Sequence, residues 1–272
     1  EFDDSKQRTP NSPFRPFVDG STLKTVGKVK KSQTGTRVRF WADFQIFPST
    51  EGFSWENLLA RARQTAFLVP GLTINCYDER GDEEITESFR FDGGVVDFAN
   101  WLANDGAVTD TWHITGSGTY SETVQVLDPE SGHLRATEVE RTCDVDVALR
   151  WGIGYDTNLR SFVNIIATPK GGTHVAGFEQ AVLKTLRAAI DKNARKLKVG
   201  AKDGRPEKDD VQAGMTAVVT VRFPEPQFEG QTKETLGTPQ IRTVVNRVVT
   251  DWLKAKFASS KRDDKQQTSL PM

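Results

Sequence analysis

The sequence predicts a mixed fold, α+β or α/β. Residues 111–127 and 134–151 alternate along their length, with Val145, Val147 and Leu149 set against Asp144, Asp146 and Ala148, as an antiparallel strand pair does. Two stretches repeat apolar residues at helical spacing: Phe178, Val182, Leu186 and Ile190 in the first, and Ile241, Val244, Val245, Val248, Val249, Trp252 and Leu253 in the second. An apolar run, Thr216–Phe223, lies between those helices and reads as a buried strand, so that strands and helices mix, with antiparallel pairing and at least one β-α-β step.

Taken in order, residues 1–34 are polar and weakly periodic and predict loops with a short extended piece over Leu23–Val29. GTRVRFW, Gly35–Trp41, alternates Val38 and Phe40 with Arg37 and Arg39 and predicts a half-buried strand. In FSWENLLARARQTAF, Trp55, Leu58, Leu59, Ala62 and Ala66 fall on one helical face behind Ser54, an N-cap type, and Pro70-Gly71 closes that helix. LTINCYDER predicts a strand; FRFDGGVVDFANWLAND predicts a short strand, a Gly93-Gly94 turn and a short helix. SFVNIIA predicts another strand. Gly171-Gly172 predicts a turn, with Thr173 as N-cap of a helix over Val175–Leu197. The final helix is expected over Ile241–Phe257 and a mobile tail beyond it.

A chain of 272 residues suits one large domain or two, and the net charge of −1 argues against a strongly basic nucleic-acid surface. No apolar run reaches the ~18 residues a bilayer span needs, and the opening EFDDSKQRTPNSPFRPF has no apolar signal core. The missing initiator Met is expected for a fragment. Cys76 and Cys143 lie in strand-like runs and are expected as buried free thiols of a reducing, cytoplasmic compartment.

Enzyme constellations are sparse. His113, His133 and His174 are far apart, no Cys/His spacing suits zinc, and no phosphate-cradling glycine motif follows a strand. Asp144/Asp146 and Asp209/Asp210 read as a solvated strand face and a helix start rather than catalytic pairs. EPQFEGQTKETLG, Glu225–Gly237, is different: it sets Gln231 and Lys233 between two glycines, where an element junction needs only turn residues. A lysine at such a tip is a compact charge with three donors, and a nearby glutamine can donate to a phosphate oxygen or orient water. An ordinary polar loop has the same composition.

Five ordered stretches resemble the ATPase subunit of type IIA DNA topoisomerases, the gyrase B/topoisomerase IV family, with wording closest to an actinobacterial type. They are GTRVRFWADFQIF, RARQTAFLVPGLTINCYDER, FRFDGGVVDF, SFVNIIATPKGGTHVAGFEQAV and DDVQAGMTAVVTVRFPEPQFEGQTKETLG. The resemblance implies an α+β fold: the C-terminal strands of a GHKL-type ATPase domain over 1–47, incomplete here, and a transducer domain over 48–259 with a left-handed β-α-β crossover. Residues 260–272 would form a mobile linker towards a toprim domain. It implies ATP as ligand, with Gln231 and Lys233 on the γ-phosphate, Thr36 helping to hold adenine, Val38 lining that pocket, and Thr232 shaping the loop. Mg2+ ligands, the water-activating acid and the Gly-rich lid of the family have no match here, so the chain alone is expected not to turn over ATP. The implied partners are a DNA duplex, a DNA-cleaving subunit of the gyrase A or topoisomerase IV type, and a second copy in an ATP-dependent homodimer, with no membrane. The competing readings are another GHKL ATPase, of mismatch-repair or chaperone type, and a non-catalytic DNA-binding module.

Overall fold

A computed structural model describes residues 27–41, 43, 46, 52–127, 133–200 and 202–259. Most of the expected Leu23–Val29 piece and the whole tail 260–272 lie outside the described residues. The chain divides into two units, Glu1–Gly52 and Phe53–Met272.

In the first unit the strand expected at Gly35–Trp41 is absent. Residues 27–41 are exposed, and a Gln33 N–H to Lys30 C=O bond of 2.9 Å closes one turn. The alternation is real, but a strand exists only as one side of a ladder, and no described residue of this unit supplies the other side. Arg39 stacks instead on Trp41, 4.8 Å from the ring centre.

The second unit opens with α1 (Trp55–Leu68), capped as expected by the Ser54 hydroxyl accepting from Asn57 N–H at 3.3 Å. A small hairpin follows, β1 (Ile74–Asp78) against β2 (Ile85–Phe89). The strand expected in FRF thus ends at Phe89 instead of starting there, and Arg90 to Gly94 lead into α2 (Val95–Leu102). β3 (Trp112–Leu127) and β4 (Leu134–Trp151) form the long antiparallel pair, in register from Trp112↔Leu149 to Leu127↔Leu134.

SFVNIIA does not form one strand. It is β5 (Asn158–Val163), a two-residue reversal and β6 (Ile166–Ala167) folding back antiparallel. Asn164 and Ile165 have φ of 47° and 67°. The Asn164 amide holds that reversal: its Nδ2 donates to Phe223 C=O at 2.7 Å and its Oδ1 accepts from Phe223 N–H at 3.0 Å. Asparagine tolerates the left-handed region better than most residues, which the apolar neighbours concealed.

α3 (Thr173–Leu197) and a one-turn α4 (Lys208–Gln212) then lead to β7 (Met215–Arg222), parallel to β5 and antiparallel to β4. The main sheet runs β3-β4-β7-β5-β6, and the chain ends in α5 (Pro239–Ser259). Asp209 and Asp210 lie at the start of α4, where Asp210 completes a capping box with Glu207.

The sheet is covered on both faces, which explains why β7 reads as continuously apolar. Ala217, Val219 and Val221 pack under α3 and α5 with Val145, Val147 and Leu149, whereas Val218 and Ala148 face α1 and α2. Ile241, Val245, Val249 and Leu253 of α5 are fully buried. The helix lies close to β3 because Gly116 and Gly118 leave it room; a Cβ at Gly116 would sit 2.8 Å from Val248 Cγ1. Cys76 and Cys143 are buried and free, and burial pushes the Cys143 thiol up to about 12.

Candidate functional site: a strapped loop between β7 and α5

The segment between β7 and α5 folds as a miniature hairpin. Glu229 N–H donates to Thr235 C=O at 2.9 Å and Gly237 N–H to Gln227 C=O at 2.8 Å, so Gln231, Thr232 and Lys233 form the tip. All three are exposed. Gly230 turns the chain with φ of 87°, and Lys233 itself takes φ of 57°. Lys233 makes no ion pair among the described residues. Its ammonium lies 5.9 Å from the centre of the Phe228 ring. The Thr232 hydroxyl donates to Glu234 Oε2 at 3.2 Å, within the loop.

The GGTH segment before α3 straps this hairpin down. Leu236 N–H donates to Gly171 C=O and Thr173 N–H to Leu236 C=O, both at 3.0 Å. A Cβ on Gly172 would fall inside the van der Waals envelope of the Leu236 backbone, and its φ is 131°, so glycine is required twice over. Gly172, not Thr173, occupies the N-cap position of α3; Thr173 opens the helix and its hydroxyl donates to Thr238 C=O at 2.8 Å. The expected cap is displaced because that hydroxyl has a better-placed acceptor at the root of α5.

A charged clamp closes the strap. Lys170 Nζ lies 2.7 Å from Glu234 Oε2, and Lys170 N–H donates to Glu234 C=O at 3.1 Å. The Lys170 ammonium, then the Thr232 hydroxyl, hold the Glu234 carboxyl below the usual carboxylate range. On the other flank Gln227 Nε2 donates to Glu122 at 3.2 Å, and Arg141 bonds Glu225 at 2.9 Å. Beneath the strap His174 is fully buried, its Nε2 3.2 Å from the Thr168 hydroxyl, and burial pulls its pKa down to about 4. A neutral imidazole packed there is structural.

Thr36 and Val38 lie in the first unit, in irregular exposed backbone, Val38 at 78% exposure. The two loop residues, Gln231 and Lys233, stand on one tip. Sequence reasoning missed Lys170, Glu234 and Gly172 as the loop's supports. PKGG and QTKE carry the opposite charges, but nothing in the spacing joins positions so far apart in the chain. Asp144 and Asp146 form no paired site: Asp146 Oδ1 meets His113 Nε2 at 2.8 Å across the β3–β4 pair.

The family described as DNA gyrase B matches residues 94–268. The chain belongs to that family. The gyrase B protein of Streptomyces coelicolor is 37% identical over 242 residues, which cover 81% of this chain and 32% of that protein. The corresponding topoisomerase 4 protein of Enterococcus faecalis is 38% identical over 240 residues, covering 86% and 31%. The chain therefore spans about a third of the length of these curated relatives. Among solved structures, the 43K ATPase domain of Thermus thermophilus gyrase B in complex with an aminocoumarin superimposes with a TM-score of 0.58 at 27% identity, over 84% of this chain and 56% of that one. These matches favour the topoisomerase family over a mismatch-repair or chaperone ATPase.

Proposed function

We propose that this chain is the transducer region of the ATPase subunit of a type IIA DNA topoisomerase, and that the Gln231–Lys233 tip contacts the γ-phosphate of ATP held by an adjoining ATPase domain. One observation carries the reading: an ammonium and a carboxamide stand exposed on a hairpin that the GGTH segment and Lys170 tie down, and the ammonium has no ion-pair partner among the described residues.

The donor set suits a terminal phosphate. Lys233 offers a compact charge with three donors, Gln231 an amide N–H, and Gly230 lets backbone approach closely. Bound ATP supplies the anionic γ-phosphate, and its loss on hydrolysis removes the partner of Lys233. The loop's own part is to hold and orient: the Lys170–Glu234 clamp and the Gly172–Leu236 strap fix the tip, so a change of partner at Lys233 reaches α5 and the sheet. Thr36 and Val38 are assigned to the adenine pocket, residues 1–47 to the end of the ATPase domain, 48–259 to the transducer with its left-handed crossover, and 260–272 to the linker towards a toprim domain. Mg2+ would be held by residues outside this chain. The partners are a DNA duplex, the DNA-cleaving subunit and a second copy, in the cytoplasm. No helix among the described residues is long and apolar enough to cross a membrane.

The test uses the whole ATPase subunit assembled with its DNA-cleaving partner. Lys233→Ala is expected to lower ATP turnover and strand passage at least about ten-fold, the loss of one charge-assisted bond. Lys233→Arg is expected to be impaired as well, since a planar fork does not replace an ammonium. Thermal unfolding should be unchanged. Full strand passage with normal nucleotide affinity in Lys233→Ala would reduce the loop to a connector.

A further inference from the structure

On the α1/α2 side of the main sheet lies a cavity of about 520 Å³ that no part of the proposed ATP contact uses. Its volume falls within the range of small-molecule sites. Three cations line it, Arg63 from α1, Arg160 from β5 and Lys170 from the strap, and its described lining contains no Asp or Glu. Neither arginine forms an ion pair among the described residues. Arg63 rests on ring faces, 5.0 Å from the Phe89 centre and 5.4 Å from that of Trp101. Arg160 is exposed.

The apolar part of the wall is aromatic and already stacked. Phe98 lies parallel to Phe67 at 4.7 Å with an interplanar angle of 2°, and Trp101 tilts beside it, 6.1 Å from Phe98 and 52% exposed. An exposed tryptophan at the mouth of a cavity offers a flat face that water covers poorly. Gln64, another wall residue, carries a buried amide nitrogen without a hydrogen-bond partner. A buried donor left unpaired is costly unless something completes it.

A lining without carboxylates, two arginines without ion pairs among the described residues, a ring surface and an unfilled donor favour one ligand class. We propose that this cavity binds a flat organic anion, an aromatic phosphate or carboxylate, with its ring on Trp101 and Phe98 and its charge towards Arg63, Arg160 and Lys170. Lys170 belongs to both this wall and the clamp on Glu234, so the site borders the loop without sharing Gln231 or Lys233.

The test is calorimetric titration of the full 272-residue chain with 1-naphthyl phosphate. Saturable binding is expected, weakened about ten-fold in Arg160→Gln and in Arg63→Gln, and weakened in Trp101→Leu. Arg160 is exposed, so its variant folds even where Arg63→Gln disturbs α1. Inorganic phosphate, which lacks the ring, and 1-naphthalenemethanol, which lacks the charge, should each bind at least about ten-fold more weakly. Binding of 1-naphthoate as tight as that of the phosphate would show that the site accepts either anion, tighter binding would assign it to carboxylates, and markedly weaker binding would assign it to phosphates; each supports a flat-anion site. Lys233→Ala should bind the probe normally, which separates this site from the loop whether or not the loop meets ATP. The proposal falls if 1-naphthyl phosphate shows no saturable binding at millimolar concentration. It also falls if Arg160→Gln binds unchanged, if the alcohol binds as tightly, or if Lys233→Ala abolishes binding.

Discussion

Gly35–Trp41 and the C-terminal half of β4 carry the same sequence signal and meet different fates. Val38 and Phe40 alternate with arginines as Val145 and Val147 alternate with aspartates. In β4 the alternation is realised, with β3 on one side and β7 on the other. In the first unit the same alternation stays exposed, Val38 at 78% and Phe40 at 68%, and joins no strand ladder among the described residues. Alternation specifies which side chains would share a face. It does not supply the neighbouring backbone that makes a strand.

Burying a charge sharpens the contrast most. Val249→Asp places a carboxylate at a position with 0% exposure and is expected to cost several kcal/mol, about 3 or more. Urea unfolding reads it directly, and an unchanged midpoint would break the account of α5. Protons probe the same interior. His174 is buried neutral, with its pKa pulled down to about 4 from 6.5. The unfolded chain therefore binds the extra proton between those values. Stability should be full above pH 6.5 and fall by about 3 kcal/mol on going down to pH 4, then lose nothing more from this group. The pH slope of the unfolding midpoint should flatten in His174→Gln. At the strap, Gly172→Ala forces a Cβ into the Leu236 backbone and a non-glycine residue into φ of 131°, for a loss of about 2 kcal/mol. Hydrogen exchange should show the Leu236 and Thr173 amides opening first, and equal protection in the variant would break the strap. The smallest effect closes the comparison: Val38→Asp should change stability by no more than about 0.5 kcal/mol. A large loss there would mean that Val38 packs after all.

Much of the second unit was legible because its signals are local. Ser54 capped α1, the α3 and α5 stripes fell on buried faces, and the Thr216–Phe223 run became the strand covered on both sides. The failures share a cause. Asn164 broke SFVNIIA because Phe223, far along the chain, supplies its partners. Thr173 lost its capping role to Thr238 in the same way. Within the candidate site, Gln231 and Lys233 stood out by residue type and flanking glycines. Lys170 and Glu234 did not, because an ion pair between separated segments leaves no mark in either one.

The φ of 57° at Lys233 has a consequence for protein engineering. A lysine held in the left-handed region costs roughly 1 kcal/mol, and asparagine occupies it more easily. Selection for thermal tolerance alone would drift away from lysine at this position, and Lys233→Asn should melt at least as high as the parent. The chain keeps the less comfortable residue at the apex of a strapped loop. On the proposed ATP contact, stability and activity there pull in opposite directions, and a library sorted by melting temperature would discard the ammonium first.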